Sequence, residues 1–311
     1  MTRFWLLALL AVPAVAQDIP RNQREYETQP APLFLFQWRA PRTHCDPLPR
    51  TGAYLDASPS TPKNVHRFDE MVLSRQQAPR LSLNVQSSIT AIEGANRNDY
   101  SVRLCAEAGA QTESDANGLL AKIKLSSENG ALALLAPLGS AKTQPRADLR
   151  IQAPADVPVT VTGSYAALAV RGLHGAVKLT TTHGRITVLD TTGSVEANAN
   201  DFGMIDFSAV RGNVRLHSAT ELNVYIPAQQ FEGTLEAVAE RPVRVLLPHG
   251  FVSPFEAVVK NKRDFVCRAD ICGQVAQSKR NGNVVFTYGK TEPKLRFTSA
   301  HGPVVIDTVK K

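Results

Sequence analysis

The side chains of this 311-residue chain that could bind a metal or move a proton are seven histidines, four cysteines and 28 acids. His174, His183, His249 and His301 each precede a glycine, the context of a turn rather than of a ligand set. A metal centre or acid–base pair needs such groups to converge, and no carboxylate recurs at a fixed distance from them. The signatures Gly-x-Ser-x-Gly, His-Glu-x-x-His and the phosphate-binding glycine loop ending in Lys-Ser/Thr are absent. Asp190, Asp201 and Asp206 fall at different points of the local pattern, and only Asp206 takes an outward strand position. They do not form the acid cluster with a nearby base that a polysaccharide lyase uses. The expectation is no catalytic residue, no metal and no cofactor.

The cysteines become readable once the compartment is known. Arg3 precedes the apolar run Phe4–Ala16, which ends in Ala14-Val15-Ala16. This is the pattern of a secretory signal peptide cleaved after Ala16, and it is shorter than the roughly 20 apolar residues a membrane span needs. The expected location is therefore periplasmic or secreted, in an exported bacterial protein with no integral membrane span after cleavage. An oxidising compartment allows disulfides, and four cysteines allow three pairings. The short gap in Cys267-Arg-Ala-Asp-Ile-Cys272 suits a tight hairpin, which favours Cys267 with Cys272 and, by elimination, Cys45 with Cys105. No second close Cys/His pair supports zinc.

Three segments follow: the signal peptide 1–16, a Pro-rich extension 17–75 and a main domain 76–311. In the extension, Leu33-Phe34-Leu35-Phe36-Gln37-Trp38 is the one concentrated aromatic stretch, expected to pack over the open end of the main domain rather than stand exposed. Alternating Leu81, Leu83 and Val85, then Ile89 and Ile92, then Tyr100, Val102 and Leu104 predict half-buried strands. Thr112 followed by Glu113 and Asp115 predicts the capped start of one short helix. Asn129-Gly130 predicts a two-residue hairpin turn.

The second half repeats. Glycines at 175, 184, 193, 203 and 212 are spaced nine, nine, ten and nine, and the second and fourth residues after each are apolar. These are Val177 and Leu179, Ile186 and Val188, Val195 and Ala197, Ile205 and Phe207, Val214 and Leu216. The same phase returns after Gly282, at Val284 and Phe286, and after Gly302, at Val304 and Ile306. Short strands of this kind must stack on neighbours to bury an apolar face. The linkers lack hairpin dipeptides, so the expected architecture is an all-β solenoid or roll with two strands per coil. Val177, Val195 and Val214 would stack on one wall, Ile186 and Ile205 on the other. Only 12 Phe, 6 Tyr and 2 Trp are present, which suits a thin two-walled core and argues against a surface rich in stacking platforms.

From about Leu81 to Val309 these features together resemble the adhesin-like β-solenoid family of exported bacterial proteins, a domain of unknown function. Ala147–Pro154, Val157–Val161 and the Gly-x-Val-x-Leu repeats carry the resemblance most strongly. It implies a β-solenoid in the cell envelope and no established activity. The Pro-rich extension and the Cys267/Cys272 pair depart from the family pattern.

The formal charge of +7, from 35 Lys+Arg against 28 Asp+Glu, is spread thinly. Lys260, Lys262 and Arg263, with Lys279 and Arg280, are basic groups expected in loops. Contact with an anionic envelope polymer is one reading of them, and an ordinary solvated surface is the other. Nucleic acid is disfavoured by export and by the lack of a basic stripe with aromatics. The expected function is a non-enzymatic, adhesin-like envelope module that binds a protein or anionic glycan. Its candidate surface is the outward residues Lys178, Arg185, Glu196, Asp206 and Arg215. The alternative is a carbohydrate-active, lyase-like enzyme on the same scaffold.

Overall fold

Alternation of apolar and polar residues becomes strand through most of the chain, in a computed structural model that describes residues 63–309 apart from 129, 130, 141 and 293. The signal segment, the extension up to residue 62 with its Leu33–Trp38 strip and Cys45, and the Asn129-Gly130 turn lie outside the described residues. The first strands are β1 (Lys63–Ser74), β2 (Leu81–Gln86), β3 (Ile89–Ala95) and β4 (Asp99–Ala110). After the helix α1 (Glu113–Leu120) come β5 (Lys124–Glu128), β6 (Ala131–Leu135), β7 (Gln144–Pro154), β8 (Val159–Ser164) and β9 (Ala167–Arg171). The repeat region supplies β10 (Val177–Thr181), β11 (Arg185–Leu189), β12 (Ser194–Ala199), β13 (Met204–Ser208) and β14 (Arg211–Ser218). It continues as β15 (Leu222–Tyr225), β16 (Glu232–Ala239), β17 (Val243–Leu247) and β18 (Phe255–Val259). The end is β19 (Phe265–Cys267), β20 (Ala276–Arg280), β21 (Asn283–Tyr288), β22 (Leu295–Ser299) and β23 (Val304–Thr308).

Among the described residues the fold is all-β with one α-helix, in two large sheets that do not close into a barrel. An 11-stranded sheet runs β1-β4-β7-β3-β9-β11-β13-β15-β17-β23-β19, and a 12-stranded sheet runs β20-β21-β18-β22-β16-β14-β12-β10-β8-β2-β6-β5. From β8 to β17, consecutive strands lie in opposite sheets and each pairs in parallel with the strand two positions along the chain. Val177, Val195 and Val214 align in one sheet, as the repeat predicts, and Ile186 aligns with Ile205 in the other. Their side chains meet in one core with Leu179, Val188, Phe207 and Leu216, each contributing about 1.5–3 kcal/mol by burial.

The glycine spacing reflects how closely the turns stack. A Cβ at Gly193 would lie 2.2 Å from the carbonyl oxygen of Gly175, and one at Gly233 would lie 2.2 Å from that of Gly212. No side chain fits a corner where backbone meets backbone at that distance.

α1 begins where its sequence predicts, with the Thr112 hydroxyl accepting from the Asp115 N–H at 3.1 Å, a cap worth about 1 kcal/mol. It buries Ala116, Leu119 and Leu120, the two leucines in the same core as the inward residues of β4. β5 and β6 pair antiparallel with Glu128 opposite Ala131, the register a two-residue turn requires. The glycine register misleads at Gly282. β21 is not a rung of the parallel stack but pairs antiparallel with both β18 and β20. Here the Asn281-Gly282 pair, both at positive φ, makes a hairpin. As a result Lys279 and Arg280 stand on the edge strand β20, not in a loop.

Cys267 and Cys272 form a disulfide beside the short edge strand β19. Cys105 is disulfide-bonded, and among the described residues no cysteine is free; the expected partner, Cys45, lies outside the described residues.

Candidate interaction surface

Because strands alternate sheets, residues that share a phase in sequence need not share a surface. Lys178, Glu196 and Arg215 sit side by side on β10, β12 and β14 of the 12-stranded sheet, all exposed. Arg185 and Asp206 are neighbours on β11 and β13 of the other sheet. The five candidates therefore form two separate groups on opposite walls. Asp206 is not presented to solvent, being only 4% exposed.

The group on the 12-stranded sheet extends into a ladder. In register across β10, β12, β14, β16, β22 and β18 stand Lys178, Glu196, Arg215, Glu236, Arg296 and Glu256. The signs alternate at every step. Lys178 Nζ lies 2.9 Å from Glu196 Oε1, and Arg296 Nε lies 3.1 Å from Glu256 Oε1. Arg280 on the edge strand adds a second cation to Glu256 at 2.5 Å. The hydrogen bond from Lys178, more than any other cause, lowers the Glu196 carboxyl below its ordinary range. Cross-strand pairs of this kind contribute roughly 0.2–1 kcal/mol each.

On the 11-stranded sheet, Asp206 accepts from Arg185 Nη1 at 2.9 Å and from Asn223 Nδ2 at 2.9 Å. Burial nevertheless dominates and raises its carboxyl above the ordinary carboxylate range.

A third feature is a corner of rings where strands of the 12-stranded sheet turn toward the other sheet. Tyr165, between β8 and β9, stacks on His183, between β10 and β11, with centroids 4.4 Å apart. His183 meets Phe202, between β12 and β13, at 5.8 Å. Tyr165 is 44% and Phe202 72% exposed, and Tyr165 holds a left-handed φ of 53°. The sequence carried a trace of this corner: the single spacing of ten, from Gly193 to Gly203, is where Phe202 is accommodated. The other expected turn histidines lie apart from it, His249 at 3.6 Å from Asp270 and His301 at 3.7 Å from Glu240. Among the described residues no three His, Cys, Asp or Glu side chains gather to hold a metal ion, and no helix is long and apolar enough to cross a membrane.

Among the described residues, these features define an all-β fold with an exposed, charge-alternating sheet face. No family model and no curated protein matches the chain. Among solved structures it is similar to a "putative cell adhesion protein" of Clostridium sporogenes ATCC 15579, at 12% identity over 79% of this chain and 100% of that one, with a TM-score of 0.32. It is also similar to a "putative adhesin" of Bacteroides fragilis NCTC 9343, at 10% identity over 81% of this chain and 99% of that one, with a TM-score of 0.34.

Proposed function

We propose that the chain is an exported, non-enzymatic, adhesin-like module of the cell envelope, built as a β-solenoid of two strands per coil, that binds a partner through the outer face of its 12-stranded sheet. The coil reading is supported by the alternate-sheet parallel pairing from β8 to β17. The observation that carries the binding reading is the exposed ladder from Lys178 to Arg296, a flat surface whose polar groups point outward. Of the two partner classes the charge favours a protein. Cations at Lys178, Arg215 and Arg296 each have a carboxylate beside them in register, so a polyanion would have to displace those carboxylates, whereas a protein surface can match both signs.

Co-sedimentation of the purified protein with native envelope fractions tests this. Replacing Lys178, Glu196 and Arg215 together by alanine is expected to lower the sedimented fraction, while Arg171→Ala on the other sheet leaves it unchanged. Undiminished sedimentation of the triple variant would sink the assigned face. Release of reducing ends from a polysaccharide by the unaltered protein would establish the lyase-like alternative instead.

A further inference from the structure

The corner where the 12-stranded sheet turns toward the 11-stranded one places Tyr165, His183 and Asp201 at the same position of three successive coils. The register fixes this, since they lie two residues beyond the aligned Gly163, Thr181 and Ala199. Phe202 is the residue added next to Asp201. One position earlier on the same coils stand Ser164, Thr182 and Asn200, and the Ser164 and Thr182 hydroxyls are 3.5 Å apart. A row of rings is thus flanked by a row of short polar side chains.

Core packing does not explain this corner. Phe202 is 72% and Tyr165 44% exposed, so neither ring gains the full burial that normally retains an aromatic side chain. Tyr165 and Asp201 both hold a left-handed φ, 53° and 51°, a conformation costly for a residue with a Cβ and concentrated at ligand sites. The backbone beneath is tight: a Cβ on Gly184 would lie 2.2 Å from the Ala166 carbonyl oxygen, so contact between coils fixes the rings in place. The Asp201 side chain is 56% exposed, and its ionic neighbour among the described residues is His183 Nδ1 at 3.8 Å, a buried nitrogen that makes no hydrogen bond. Both the rings and the carboxylate are therefore open to a ligand.

We propose that this corner is a platform for a neutral oligosaccharide, whose C–H faces pack on Phe202, Tyr165 and His183 while Asp201 and the flanking Ser164 and Thr182 hydroxyls bond its hydroxyl groups. Area decides against a larger partner. At about 200 Å² per aromatic side chain, the two exposed rings present roughly 230 Å², far below the ~800 Å² per side of a stable protein interface. A sugar is amphipathic in the same way as the corner, with C–H groups on its faces and hydroxyls on its rim, and the negative face of an aromatic ring attracts polarised C–H groups. Two coil steps amount to about 10 Å, a length that two linked sugar rings cover. The exposed charge of the ring row is the Asp201 carboxylate, which repels a uronic or phosphorylated sugar and accepts hydrogen bonds from the hydroxyls of a neutral one. The site is distinct from the charged ladder and does not depend on it.

Saturation-transfer NMR on the full chain tests this, with cellotetraose, mannotetraose and chitotetraose as neutral probes and a hyaluronan tetrasaccharide as the anionic one. Transfer to the ring C–H protons of at least one neutral probe is expected. Its Kd should rise roughly tenfold in Phe202→Ala and roughly threefold in Tyr165→Asn, in proportion to the stacking surface lost. Asparagine tolerates the left-handed backbone at 165, and Phe202→Tyr should retain the affinity. The joint alanine replacement of Lys178, Glu196 and Arg215 should leave it unchanged, which separates this site from the sheet face. Transfer to none of the neutral probes, tighter binding of the hyaluronan fragment, or an unaltered Kd in Phe202→Ala would overturn the proposal. So would a loss of envelope co-sedimentation in Phe202→Ala without any saccharide binding, the mark of a protein contact.

Discussion

The two sheets share one repeat, one core and one strand spacing, yet their outer faces differ in kind. On the 12-stranded sheet the outward residues Thr160, Lys178, Glu196, Arg215 and Glu236 are exposed and cover a row of alternating charge. On the 11-stranded sheet the corresponding row is Ala91, Ala169, Thr187 and Asp206, small or buried. A strand with water on one side reads apolar-in and polar-out, whereas a strand covered on both sides needs small or paired groups outside. Among the described residues the same glycine-bounded repeat therefore carries two kinds of outer row, one exposed and charged, the other small and buried.

The largest separation expected lies between inside and outside on one strand. Val195→Asp puts an unpaired charge into the shared core and is expected to cost on the order of 3–5 kcal/mol or to prevent folding, while Glu196→Ala stays within about 0.5 kcal/mol. Urea unfolding of both variants checks this, and equal effects would break the assigned phase. Next in size is the contrast between the outer faces. Thr187→Arg is expected to destabilise by about 1–3 kcal/mol through overpacking, and Thr160→Arg on the open face by less than about 0.5 kcal/mol. Similar unfolding midpoints for the two would remove the distinction between covered and open sheets.

The smallest effect is in titration, where the two faces should move in opposite directions. Burial raises Asp206, so the folded state holds that proton more tightly than the unfolded chain. Its contribution to stability is greatest below the ordinary carboxylate range and declines as pH rises through the raised value. Lys178 lowers Glu196, so its contribution is present above the ordinary value and fades as pH falls through the lowered one. Carboxyl NMR should place the Asp206 midpoint above that of an unstructured aspartate and the Glu196 midpoint below that of an unstructured glutamate. Finding both shifted the same way would contradict the difference in solvation.

Much of the strand pattern was legible in the sequence because period-2 alternation and the stacked glycines are local signals. The alignment of Val177, Val195 and Val214 on successive strands of one sheet followed from spacing alone. The surface was less legible. Arg185 and Asp206 share the phase of Lys178 and Glu196; the repeat assigns alternate strands to opposite walls, but nothing local says that the outer row of one wall is itself buried. Gly282 looks like the other repeat glycines, but its neighbour Asn281 makes it a hairpin, and the antiparallel end of the sheet follows from that one dipeptide. The ring corner was hidden because its members, Tyr165, His183 and Phe202, are far apart in sequence and become adjacent only when coils stack.

The ladder from Lys178 to Glu256 also bears on how the chain finds its register. Parallel repeats of nearly equal length invite an error in which a strand skips its neighbour and docks one coil too far. Such a skip would seat Arg215 beside Lys178, or Glu236 beside Glu196, and like charges directly opposite are unfavourable. A skip of two coils would restore opposite signs but would leave two strands unpaired. The alternation thus works as a parity check written along the sheet, one that disfavours docking a strand one coil out of place.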